Sequence, residues 1–399
     1  MNQAAEKIAG EIADKGPIPF ARFMELALYC PIYGYYEREK DIIGRFGDYY
    51  TSVSVGSLFG ELLAFQFAEW LAQSQVSIAK GEASAATDVM RIVEAGAHDG
   101  RLARDILAWM REYRSALYQG LEYWIVEPSK QRRGWQREVL TQFAAKLHWV
   151  EQLQELRSVP TSSPAAGHAS HSLRGIIFSN ELLDAIPAHR LGWDAKERKW
   201  YEWGVTSEGG RFVWTRMPAN SPKPKVTSPR WNSEPSFGNW PFAIGSELLD
   251  VLPDGFTVEI NPAAEQWWWE AASVLECGRL VTLDYGLTAD EFFAPERREG
   301  TARAYSHHRS GGNILSHPGE QDITAHVNFT AIQVAGESAG LRTDGLLTQA
   351  QFLTGIAARV CNGGASFGAW SLERTRQFQT LTHPEYLGQS FRVLVQSRI

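Results

Sequence analysis

Arg91-Ile92-Val93-Glu94-Ala95-Gly96-Ala97-His98-Asp99-Gly100 decides the fold. Ile92 and Val93 form a short apolar run that ends in an acid and two glycines. In the segment that follows, Leu102, Ile106 and Trp109 recur at helical spacing. A strand, a tight turn and a helix in that order open a doubly wound α/β sheet. Glycine at 96 and 100 lets the backbone turn sharply and approach a ligand with no Cβ in the way. The spacing is Gly96-x-x-x-Gly100, with His98 where the middle glycine of a dinucleotide fingerprint would fall, which disfavours a nicotinamide dehydrogenase.

Glu94 is the more telling residue. Phosphates seek bare N–H groups and a positive helix end. An acid placed before the turn suits instead a ligand bearing an ammonium or sulfonium charge, such as S-adenosylmethionine. A second β-α unit, Leu121 to Ser129, ends its strand at Glu127, where an acid in nucleotide-binding α/β folds accepts hydrogen bonds from both ribose hydroxyls. Glu94, the glycine pair and Glu127 together predict a bound adenosyl cofactor.

At 399 residues the chain suits one large α/β domain with insertions, or two domains. A net charge of −7 carries no electrostatic footprint for nucleic acid. Cys30, Cys277 and Cys361 lie far apart and outside any C-x-x-C pattern, which argues against a zinc site or disulfide framework and for a reducing compartment. No apolar run approaches the ~20 residues that span a bilayer. Met1 to Lys15 reads as an amphipathic helix, not a signal or transit peptide, so the sequence predicts a cytoplasmic location. Of the 15 tryptophans, Trp203, Trp214 and Trp240 are expected in packing roles.

Outward from the glycine turn, residues 20–29 predict a helix ended by Pro31, followed by a glycine- and tyrosine-rich loop through Ser52 and an apolar helix from Leu58 to Leu71. Residues 1–74 are thus expected as a helical cap, and 75–399 as the core. Gly175 to Ser179 reads as an inner strand whose carboxyl end carries Asn180, Glu181 and Asp184. On a turn or a first helical turn the two acids share a face, and capping by Asn180 or Asp184 is the structural alternative. Residues from about 189 to 250 break the β-α rhythm with antiparallel strand patterns, an insertion whose aromatics could receive a partner. Asn261-Pro262 caps a helix carrying Trp267-Trp268-Trp269, of which at least one must leave the core. His168 and His171 are expected to face solvent. His308, Asp322 and His326 are weighed as metal ligands and assigned ordinary loop roles, so no metal is predicted.

The assembled segments resemble the MidA-like methyltransferases, a family of protein-arginine methyltransferases that includes an assembly factor for mitochondrial complex I. The resemblance is carried by PFARFMELALYCPIYGYY (residues 19–36), GDYYTS (47–52), LFGEL (58–62), NELLDAIP (180–187), DYG (284–286) and PGEQDITAHVNF (318–329), with Gly300 to His308 and Gly388 to Leu394, across residues 10–396. It implies a class I methyltransferase, Rossmann-like fold with S-adenosyl-L-methionine as cofactor. The methionine end would lie at Glu94, Gly96 and Gly100, and the ribose at Glu127. Tyr50 and Thr51 would close over the cofactor, with Asn180 beside the sulfonium. Glu181 and Asp184 are the candidate catalytic acids toward an arginine of a protein substrate. The family usually carries E-L-G-P-G-R-G, whereas this chain has E-A-G-A-H-D-G, with His98 in place of a glycine and Asp99 in place of a basic residue. A small-molecule or natural-product methyltransferase and a non-catalytic assembly module share most of these residues. The sequence leaves the oligomeric state open.

Overall fold

The computed structural model describes residues 2–38, 51–79, 89–158, 173–217, 226–228, 231–233, 250–306, 309–310, 313–362 and 367–398. The chain falls into two compact units. One comprises Met1–Tyr49, Leu183–Trp267 and Gly286–Ile332; the other comprises Tyr50–Leu182, Trp268–Tyr285 and Gln333–Ile399.

The second unit is built on a mostly parallel sheet. Its strands are β1 (Met90–Ala95), β2 (Leu121–Val126), β3 (Leu147–Val150), β4 (Leu173–Asn180), β5 (Leu275–Leu287), β6 (Arg342–Thr348) and β7 (Phe391–Arg398). They lie in the order β3-β2-β1-β4-β5-β7-β6. Neighbours from β3 through β5 run parallel, while β7 runs antiparallel to both β5 and β6. The chain winds outward from β1 to β3, then returns to the other side of β1 with β4. That reversal opens a crevice at the carboxyl ends of β1 and β4, where sheets of this kind bind ligands.

Helices α1 (Leu58–Ala79), α2 (Arg101–Tyr113), α3 (Lys130–Val139), α4 (Gln349–Asn362) and α5 (Leu372–Thr382) belong to the same unit. As the periodicity predicts, α2 buries Leu102, Ile106 and Trp109 in one core cluster with Ile92, Phe178 and Val281 of the strands. Each such side chain contributes roughly 1.5–3 kcal/mol on burial.

The units depart from the expected linear split at residue 74. Helix α1 sits with the sheet because Leu58, Phe59, Leu62, Leu63, Phe67 and Leu71 are all buried in that same cluster. A helix apolar on nearly every side makes an inner layer rather than a cap.

The first unit joins the N-terminal helices to the strands of the expected insertion. Helix Gln3–Lys15 starts at Asn2, whose side chain accepts the Ala5 N–H at 2.9 Å. Strands His189–Asp194, Lys199–Glu208 and Arg211–Arg216 form the expected antiparallel sheet, extended by Ile18–Pro19 and Thr257–Ile260. Its aromatics are packing residues: Trp214 lies 5.1 Å from the Phe20 ring, and Phe212 lies 5.7 Å from that of Phe23. Trp240 and most of 218–249 lie outside the described residues. Asn261 caps helix Pro262–Val274 by accepting the Ala264 N–H at 3.0 Å. Of its three consecutive tryptophans, Trp269 is the exposed one.

Candidate functional site

Glu94 is the penultimate residue of β1 and is only 2% exposed. Tyr123 on β2 lies directly opposite Ile92, so its ring reaches along the same face of the sheet. Its hydroxyl donates to Glu94 Oε2 at 2.7 Å. Burial pushes the Glu94 carboxyl up to about 8, with the Tyr123 hydrogen bond opposing and the Asp99 charge adding to the rise. An acid poised this way ionises most readily when a cation settles beside it.

The chain then turns through Gly96 and Gly100, at φ +77° and +87°. A Cβ on Gly96 would sit 3.0 Å from Leu182 Cδ1, and one on Gly100 would sit 3.1 Å from Leu140 Cδ1. Glycine is therefore favoured at both positions by conformation, and any Cβ there would make Leu182 or Leu140 yield by a few tenths of an ångström. His98 adopts φ +46°, a left-handed conformation that costs a non-glycine residue about 1–2 kcal/mol. The turn is held by Gly100 N–H donating to the Ala97 carbonyl at 2.7 Å and by Gln136 Nε2 donating to the His98 carbonyl at 3.0 Å. Asp99, the other departure from the family pattern, accepts the Arg101 N–H at 3.1 Å and pairs with Arg101 Nε at 2.8 Å. Burial raises its carboxyl, but His98 and Arg101 outweigh that and hold it below the usual range. Asp99 thus anchors the start of α2, where negative charge is favourable.

Glu127 follows β2 and is 1% exposed. Its Oε1 accepts the Ser129 N–H at 2.9 Å and lies 3.7 Å from Arg132 Nε. Gln136 Nε2 is 3.4 Å from Glu127 Oε2, while Gln136 Oε1 accepts the Trp149 indole at 2.9 Å. One fully buried amide on α3 therefore ties the glycine turn to the second acid. No sequence pattern singles it out.

At the carboxyl end of β4, Glu181 sits at φ +51°. Its N–H donates to the Leu283 carbonyl at 2.9 Å, and the next N–H, of Leu182, donates to Asp284 Oδ2 at 3.1 Å. These bonds carry the chain off the sheet in turns, so the helical turn on which Glu181 and Asp184 would share a face does not form. Asp284 is wholly buried and also accepts the Tyr285 N–H at 2.8 Å. Glu181 Oε1 accepts from Ser52 N at 3.2 Å and Asn180 Nδ2 at 3.1 Å. Thr51 caps the short helix Ser52–Val55 by accepting the Ser54 N–H at 3.0 Å. Ser52 Oγ donates to Gln349 Oε1 at 3.0 Å. Thr51, Glu94, Gly96, Gly100, Glu127, Asn180 and Glu181 all belong to one unit.

Asp184 belongs to the other unit, is 5% exposed, and receives the Ala325 N–H on its carbonyl at 2.9 Å. Asp322 is a strand residue and accepts the Tyr36 hydroxyl at 2.7 Å. Burial pushes the His326 imidazole down to about 4, against the opposing charge of Glu259. Among the described residues no group of three His, Cys, Asp or Glu side chains could hold a metal ion. Tyr50, His168, His171 and His308 lie outside the described residues.

The donor and acceptor inventory bears on the ligand. Asn180 Oδ1 is enclosed and has no hydrogen-bond partner among the described residues. Beside the switch point stand this orphaned acceptor, one acid kept neutral by burial and a second acid at the next strand end. Such a set fits a ligand that brings an ammonium, a sulfonium and ribose hydroxyls as cations and donors. When bound, S-adenosylmethionine would supply a methyl group already activated by positive sulfur.

Residues 62–347 match a family described as S-adenosyl-L-methionine-dependent methyltransferase. The chain is 27% identical over 402 residues to protein arginine methyltransferase NDUFAF7 of Danio rerio, covering 96% of this chain and 84% of that one. It is 24% identical to the Drosophila melanogaster homologue over 84% of this chain and 70% of that one. A Burkholderia thailandensis crystal structure bound to S-adenosyl-homocysteine is 29% identical with a TM-score of 0.76, covering 99% of this chain and 92% of that one. These likenesses agree with the α/β methyltransferase fold and the cofactor expected from sequence. They correct the expected cytoplasmic location, because the curated relatives are named as mitochondrial proteins. No described helix is long and apolar enough to cross a membrane.

Proposed function

The chain belongs to the MidA-like family of S-adenosyl-L-methionine-dependent methyltransferases, and from that premise we propose that its methyl acceptor is an arginine side chain of a partner protein. The observation that carries this reading is the similarity, along nearly the whole chain, to relatives named as protein arginine methyltransferases. The chemistry of the strand ends supports it.

Transfer to nitrogen is an in-line displacement at an activated methyl carbon, so the protein mainly aligns the reactants and excludes water. A guanidinium has a pKa above about 12 and a poorly nucleophilic lone pair. A carboxylate that grips it side-on concentrates electron density on one nitrogen and orients it. Glu181 is assigned that grip, pinned by Ser52 and Asn180 in a conformation only a braced turn sustains. Formation of the new N–C bond would leave the electron pair of the broken C–S bond on sulfur, and the N–H proton lost by the guanidinium would pass to the carboxylate that grips it and from there to solvent. Glu94, Gly96 and Gly100 are assigned to the methionine end of the cofactor and Glu127 to its ribose. Asn180 is placed beside the sulfonium, with Tyr50 and Thr51 as cover.

Incubation with methyl-labelled S-adenosylmethionine and cell extract tests the acceptor class. The expected result is label on a guanidino nitrogen, recovered as methylarginine after acid hydrolysis. Label confined to small molecules would replace the proposal with the natural-product reading, and no transfer to any acceptor would favour a binding module.

A further inference from the structure

The unit that contains the N-terminal helices holds a cavity of about 410 Å³, within the range of small-ligand sites. Three arginines from two segments line it: Arg190, and Arg298 with Arg303. This is notable in a chain whose net charge is −7. Arg190 is neutralised from behind by buried Glu259, with which it pairs, and is oriented by donating to the Glu299 carbonyl at 2.7 Å. Arg303 spends Nη1 on the carbonyls of Gly300 and Ala302, at 3.2 and 2.7 Å. Among the described residues neither Arg298 nor Arg303 has a carboxylate partner. Glu299 is the acid in the lining, and Ala302, Ala304 and Ile314 supply its apolar surface.

We infer that this cavity is an anion site that takes a carboxylate side chain from an acidic polypeptide segment. Guanidinium groups match planar carboxylates through paired N–H donors. With Arg190 cancelled by Glu259, and Glu299 offsetting one of the other two arginines, a single positive charge remains. That balance suits a singly charged carboxylate better than a doubly charged phosphate. The alanine and isoleucine surface suits the aliphatic stem of a glutamate. The same charge repels a guanidinium, so the cavity is no seat for a target arginine, and its role goes beyond the methyl-transfer reading.

The test is fluorescence polarisation of a labelled tetraglutamate peptide on the full chain, with inorganic phosphate and free succinate as competitors. The expected result is saturable binding that weakens about tenfold in Arg298→Ala and further in Arg298→Ala/Arg303→Ala, and that falls with added salt. Arg298 is exposed and makes no side-chain bond among the described residues, so the single variant should fold even if the double variant does not. Its affinity for S-adenosylhomocysteine should match that of the parent, which separates failure here from failure of the methyl-transfer reading. Absence of peptide binding, unchanged affinity in Arg298→Ala, or displacement by phosphate or succinate as effective as by unlabelled peptide would overturn the inference.

Discussion

Glu181→Gln is expected to lower methyl transfer about a hundredfold, the scale of one charge-assisted hydrogen-bond pair, while S-adenosylhomocysteine affinity stays within a few fold. The substitution keeps an oxygen that can still accept from Ser52 N and Asn180 Nδ2, so the turn at φ +51° retains its bracing. It removes only the charge. A residue whose role was to hold the turn would therefore tolerate the change, whereas one that grips a guanidinium would not. Measuring turnover on the labelled acceptor beside cofactor binding separates the two. A variant that turns over normally removes Glu181 from the mechanism.

Asp284→Ala is expected to cost about 2–5 kcal/mol of stability, because it removes a wholly buried carboxylate and strands the two half-buried backbone N–H groups it accepts from, those of Leu182 and Tyr285. For a unit of this size that corresponds to a fall in melting temperature of roughly 5–15 °C. Asn at the same position keeps one good acceptor and should recover part of the loss. Thermal unfolding of the two variants checks the order. If Ala and Asn melted with the parent, the carboxylate at the end of β5 would not be what fastens the turn carrying Glu181.

The glycine turn was legible in sequence because the ligand and the fold demand the same residues there. An apolar run, an acid and two glycines announce a strand end, and Gly96 and Gly100 do adopt left-handed angles against packed side chains. Glu127 was legible by its place one strand further on. Gln136 and Tyr123 were not, because each acts across elements: a helix residue bonds a turn 38 positions away, and a strand residue reaches an acid 29 positions away. The Glu181–Asp184 spacing suits a turn or a first helical turn, and which of the two forms is set by a related long-range effect: the Glu181 and Leu182 N–H groups bond the Leu283 carbonyl and Asp284, and the chain runs through turns. Position in the chain points helix α1 to a cap, whereas its all-round apolarity marks it as an inner layer.

Calorimetric titration of S-adenosylhomocysteine between pH 6 and 8, on the parent and on Glu94→Gln, tests the central claim most directly. The acids at the ends of β1 and β2 are expected to hold an adenosyl ligand by its ammonium group and its ribose hydroxyls. Burial keeps the Glu94 proton on up to about pH 8, and pairing with the ligand ammonium requires its loss. Binding therefore releases a proton below that pH, and affinity should rise toward the limit of about tenfold per pH unit, levelling off near 8. Glu94→Gln should bind more weakly and show no such rise. Equal affinity and equal pH dependence in the two proteins, or no binding to either, would contradict the account.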